Sequence, residues 1–111
     1  DLPAGWKNRE LWVPCFQPDR LVGTNGAGDA TIAGFLTAIL CGMPVEAALT
    51  SAVAVGACNV EAAAALGGIQ SWPETQTRVL RGWAREPLTI DAPGWQWDAT
   101  AQCWIGPQDD S

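Results

Sequence analysis

Residues 22–40 read "VGTNGAGDATIAGFLTAIL", a glycine-rich turn that runs straight into an apolar stretch, with a single acid, Asp29, at the junction. The stretch after Asp29 is apolar on nearly every face, as a helix buried all round would be. The first amides of such a helix have no partner within it, and the macrodipole adds partial positive charge. A glycine turn at this point can therefore hold an anion without a lysine. Two phosphate motifs fail here. A Walker loop needs a lysine after its last glycine, yet no basic residue occurs between Arg20 and Arg78. A dinucleotide fingerprint needs a third glycine where Thr31 stands. An acid beside an anion site makes chemical sense if it faces an attacking hydroxyl and takes its proton. Asp29 could equally be a helix N-cap and nothing more, and the residues alone leave both readings open.

Working outward, Gly42 suits a helix C-cap and Pro44 the first turn of a second helix, which runs to about Ala65 with Glu46 at its start and Gly56 in its middle. This second helix is dense in alanine. Small side chains permit close packing against another backbone or against a flat ligand, and alanine is also the best helix former. Gly67 and Gly68 end it. Ser71 and Glu74 then stand at capping-box spacing and open an amphipathic surface helix over 74–85, with Val79, Leu80 and Trp83 on one side. Upstream, "LWVPCF" at 11–16 is β-prone, with Pro14 demoting it to an edge or irregular strand. Downstream, "PGWQWDATAQCWIGP" at 93–107 alternates Trp95 and Trp97, turns at "DATA" and can pair back through "QCWI" as a hairpin. Its indoles would pack on a larger body or offer an aromatic platform to a sugar.

The chain has 111 residues, 48% of them hydrophobic and 16% charged, with seven tryptophans, a composition that calls for a folded core rather than a disordered tail. A net charge of −6 argues against a nucleic-acid surface. The longest uncharged run, 30–45, is broken by Gly34, Gly42 and Pro44 and is shorter than the roughly 18–20 residues that span a bilayer, so no transmembrane helix is expected. Cys15, Cys41, Cys58 and Cys103 form no close pair, and the chain has no histidine; buried free thiols in a reducing cytoplasm are expected. The chain opens at Asp1 and its only methionine is Met43, which suggests a truncated or processed product.

With its flanks, "GTNGAGDAT" resembles the signature of the ribokinase-like, or PfkB, carbohydrate kinases, whose pattern is D-T-x-G-A-G-D-A-F followed by a glycine-bearing apolar helix. The resemblance extends from about Val13 to Pro73 and includes "GGIQSWP", similar to the family's G-A-x-x-S-x-P segment. It implies an α/β chain, the C-terminal part of a three-layer αβα ribokinase-like (Rossmann-like) fold, followed by a Trp-rich hairpin. Residues 1–111 would form the C-terminal segment of one kinase domain, with 12–85 bearing the motifs and 86–111 forming the tail.

The same resemblance implies ATP-dependent phosphorylation of a sugar or sugar-like alcohol, with Mg2+ accompanying the nucleotide. It places the catalytic base on Asp29 and the anion hole for the γ-phosphate on the backbone of Gly26, Ala27 and Gly28 with Asp29 itself. It makes Val53, Gly56, Ala57 and Asn59 candidate nucleotide contacts. Many relatives carry an acid where Gly23 stands, and that carboxylate helps order a monovalent-cation (K+) site to which a serine matching Ser71 contributes. Losing the acid puts potassium activation in question. Thr31 stands where an aromatic residue is usual. The family's sugar-reading residues and lid come mainly from the N-terminal two thirds of its fold. This chain alone is therefore expected to be inactive and to pack against that missing part, with a homodimer as a further arrangement. A non-catalytic, kinase-derived binding or regulatory module is the competing reading.

Overall fold

The computed structural model describes residues 5–18, 27–61 and 71–109, and its elements follow in the order β1 (Leu11–Trp12), α1 (Ala27–Leu40), α2 (Val45–Val60), α3 (Trp72–Leu80), β2 (Gln96–Asp98) and β3 (Cys103–Ile105).

Helix α1 begins inside the glycine turn, two residues before the expected start, and puts Asp29 in its first turn. It ends as Gly42 predicts. Gly42 adopts φ +72°, its N–H donates to the Ile39 carbonyl, and the Met43 N–H reaches back to Ala38, the paired bonds of a Schellman cap. Pro44 is the N-cap of α2, with φ −59° and ψ 155°, so the two helices fold back on each other across a tight connection.

Small residues hold that pair together. Ala30, Gly34 and Ala38 recur every four residues along the buried stripe of α1. A Cβ on Gly34 would lie 3.0 Å from the Val55 Cβ and 3.2 Å from the Ala52 Cα, so the helices touch almost backbone to backbone. The expectation that α1 is buried all round is corrected. Its large side chains lie off the stripe, with Ile32 60%, Leu36 55% and Leu40 88% exposed. Helix α2 is the buried one, with Ala48, Ser51, Ala52 and every residue from Ala54 to Asn59 inside. It ends at Val60 with Glu61 as its C-cap; its expected extension to Ala65 falls outside the described residues.

Helix α3 opens on the expected cap. The Glu74 N–H donates to Ser71 Oγ at 3.3 Å, and that hydroxyl donates to Glu74 Oε1 at 2.8 Å. It stops at Leu80 rather than at residue 85, because Gly82 takes φ +91° and turns the chain. Leu80 is left exposed, and Trp83, freed from the helix, stacks on Phe16 with ring centroids 4.7 Å apart. Phe16, Ala54 and Ala57 form a core cluster that Val53, Val79 and Trp83 cover.

The strand expected over 11–16 survives as two residues before Pro14, plus an isolated antiparallel bridge between Phe16 and Arg85. The sheet has the order β1-β3-β2 and is antiparallel throughout. The central parallel sheet of an αβα fold is not found among the described residues. The tail is the hairpin read from its sequence, with Asp98 Oδ1 accepting from the N–H groups of Thr100 and Ala101 at the turn. Its register lines up Trp12, Trp104 and Trp97 across three strands, and the Trp104 indole donates to the Leu88 carbonyl at 2.8 Å.

Cys58 and Cys103 are buried as expected, but Cys15 and Cys41 are exposed, because Cys41 falls just past the end of α1 and Cys15 lies beyond β1 next to Pro14. Among the described residues no helix is long and apolar enough to cross a membrane.

Candidate functional site

The first turn of α1 gathers Ala27, Gly28 and Asp29, and Gly26 lies outside the described residues. Gly28 and Asp29 are exposed, and a Cβ at Gly28 would meet nothing within 4 Å, so the space over these amides is open. The turn is fixed from below. Thr31 Oγ1 donates to the Ala27 carbonyl at 2.8 Å and occupies the place a side chain on Gly56 would need. The same absent Cβ would lie 3.5 Å from the Ala27 carbonyl oxygen. The segment expected to bind phosphate and the middle of α2 are thus in direct contact, and Thr31, the departure from the family pattern, is the residue that joins them.

The other expected positions fall on different faces of α2. Val53 and Ala57 pack on the Phe16 cluster, while Asn59 is almost fully buried. Ser71 caps α3 through Glu74, and no hydrogen bond joins it to Asp29 among the described residues. Gly23, the first position of the motif, lies outside the described residues.

An ion pair that periodicity does not reveal binds α3 to the end of α2 nearest this turn. Arg78 donates to both carboxylate oxygens of Glu61 at 2.6 and 2.7 Å and lies over the Trp83 ring at 3.4 Å. Beside it, burial pushes the Cys58 thiol pKa up, opposed by the Arg78 charge. A second pair clamps the tail to the N-terminal segment. Arg9 donates to Asp109 at 2.8 Å and lies 3.3 Å from Glu46, and the Asp109 hydrogen bond is the main reason its pKa is raised. A cavity of about 480 Å3 lies elsewhere, against the first half of α2, and none of the expected site residues lines it.

The site is an exposed acid in the first turn of α1, on a turn braced from below by Thr31 against Gly56. The profile of the pfkB family carbohydrate kinases matches residues 4–72, more than half of the chain, and the chain belongs to that family. The match takes in β1, α1 and α2 and stops at the start of α3, leaving the Trp-rich hairpin outside it. Membership carries with it the ribokinase-like α/β fold and points to sugar kinase activity. No curated protein and no solved structure matches the chain significantly.

Proposed function

We propose that this chain is the catalytic-base segment of an ATP-dependent kinase that phosphorylates a hydroxyl of a sugar or sugar-like alcohol. The observation that carries the reading is Asp29. It lies within the span matched by the family, in the first turn of α1, exposed and flanked by Ala27 and Gly28 on the open side of the helix end. In this reading the amides of residues 26–29 hold the γ-phosphoryl group where its charge develops, and Asp29 accepts the proton of the attacking hydroxyl. The nucleotide lies toward α2, and Val53 is its proposed contact there, because Gly56, Ala57 and Asn59 are buried in the packing of the helices and shape that face only from beneath.

Among the described residues no group of three acids, cysteines or histidines could hold a metal ion, so Mg2+ in this reading arrives on the phosphates of ATP. A K+ site involving Ser71 would have to form without an acid at Gly23. The sugar is read by an N-terminal part of the same fold, and the exposed row Ile32, Leu36 and Leu40 supports such a partner, since that face of α1 has no cover among the described residues. The 111 residues alone are inactive in this reading, and the complete enzyme is cytoplasmic.

The deciding experiment is Asp29→Asn in the full-length gene product. Sugar-dependent ADP release should fall by about 10²–10⁴-fold, the usual share of a general base, while ATP still binds in a calorimeter. Turnover at the parent rate would refute the assignment. The second reading, a non-catalytic binding module, draws on Trp12 and Trp97, both exposed in one cross-strand row. Nucleotide binding without any sugar-dependent ADP release by the full-length parent would favour it.

A further inference from the structure

The cavity against the first half of α2 is separate from the phosphate site, since it is lined around Glu46 to Ser51 whereas the α1 turn rests on Gly56. Its volume of about 480 Å3 is in the range of small-molecule pockets. One wall carries a cation of unusual standing. Arg9 and Arg78 answer their charges with carboxylates, Arg9 with Asp109 and Glu46, and Arg78 with Glu61. Arg85 does not. Its Nη1 donates to the Pro14 carbonyl at 3.1 Å, its Nη2 donates to Thr50 Oγ1 at 3.0 Å, and its plane lies 4.4 Å from the Phe16 ring centroid. Among the described residues no Asp or Glu comes within ion-pair range of it. Partial burial lowers its pKa.

The rest of the lining states what the anion must look like. Met43, Ala47, Val79 and Leu80 form apolar walls, and Leu80 stands 87% exposed at the edge. Ser51 and Gln76 are joined by a 2.9 Å hydrogen bond, so that part of the wall is already satisfied. Glu46 is also on the rim, held by Arg9, and the whole chain carries −6. With Glu46 answered by Arg9, the charge left over is the single guanidinium of Arg85, which matches one negative charge; the second charge of a phosphomonoester would go unanswered beside Glu46.

We propose that this groove binds a small monocarboxylate with an apolar body, its carboxylate on the guanidinium fork of Arg85 and its hydrocarbon against Met43, Ala47, Val79 and Leu80. The fork retains N–H groups beyond those given to Pro14 and Thr50, and a carboxylate is the partner that matches its planar geometry.

Sodium benzoate is a suitable probe, with benzamide as its neutral isostere and inorganic phosphate as the competing anion, each titrated into the chain by calorimetry or amide NMR. Benzoate should saturate with shifts confined to the groove, and benzamide and phosphate should each bind at least about tenfold more weakly, the worth of one charge-assisted hydrogen bond. Arg85→Gln should weaken benzoate by a similar factor. Ala47→Phe, which fills the groove and keeps Arg85, should do the same and decides the matter if Arg85→Gln fails to fold. The proposal is overturned if benzoate does not saturate or if benzamide or phosphate binds equally well. Unchanged affinity in either folded variant overturns it too.

Discussion

Thr31 of α1 sits in the space that a side chain at Gly56 of α2 would fill, and its hydroxyl donates to the Ala27 carbonyl at 2.8 Å. The glycine in α2 thereby sets how close the first turn of α1 can approach.

Gly56→Ala should therefore destabilise the chain by about 1–3 kcal/mol, the usual cost of overpacking, even though alanine is the better helix former. Replacing Thr31 as well should restore most of the loss, because Thr31→Ala vacates the contested space. Urea unfolding of the two single variants and the double variant measures this coupling. An unchanged midpoint for Gly56→Ala would leave the close approach without energetic weight.

The ion pair between Arg78 and Glu61 offers a second test. Both side chains are largely buried, at 19% and 14% exposed, and the carboxylate is gripped at two points. Glu61→Gln should cost about 1–3 kcal/mol, since the guanidinium over Trp83 would lose its charged partner. The loss should persist in 1 M salt, where an exposed pair would be screened out.

The parts of this arrangement legible in the sequence are those coded by neighbours along the chain. Gly42 and Pro44 mark the α1–α2 connection, Ser71 and Glu74 the start of α3, and the tail's alternation its hairpin. What could not be read depends on tertiary contact. Apolarity around α1 looks like burial, yet the stripe that packs is the small-residue one, and the glycine at 34 decides which face that is. Helix α3 stops ahead of Gly82, a stop signal masked by the apolar run of Val79, Leu80 and Trp83, and the stacking of Trp83 on Phe16 is a contact that no local window contains. The place of Asp29 at a helix start is legible from the glycines before it and the apolar run after it, whereas the brace beneath it joins Thr31 to a glycine in another helix.

Thiol chemistry separates the two classes of cysteine. Cys15 and Cys41 should react with Ellman's reagent in the native chain, and Cys58 and Cys103 only after unfolding. Burial raises the pKa of both buried thiols. The folded chain thus holds those protons more tightly than the unfolded one. The stability they confer is complete below the ordinary thiol range and drains away as pH rises through and above about 9. Cys58→Ala and Cys103→Ala together should flatten the alkaline limb of a stability–pH profile. A limb of unchanged slope would assign it to other groups.

The exposed face of α1 makes the last prediction. Ile32, Leu36 and Leu40 recur every four residues and so form one ridge, on a helix whose opposite stripe is already committed to α2. A ridge of this kind in water favours association with any complementary apolar surface. The 111-residue chain alone should therefore self-associate in size-exclusion chromatography with light scattering, increasingly so with concentration. Leu36→Glu with Leu40→Glu should return it to a monomer at little cost in unfolding free energy, because neither side chain is buried. In the full-length protein the same pair should be strongly destabilising if the N-terminal part of the fold covers this ridge. Equal tolerance in both contexts would place that part elsewhere and leave the ridge to a second copy of the chain.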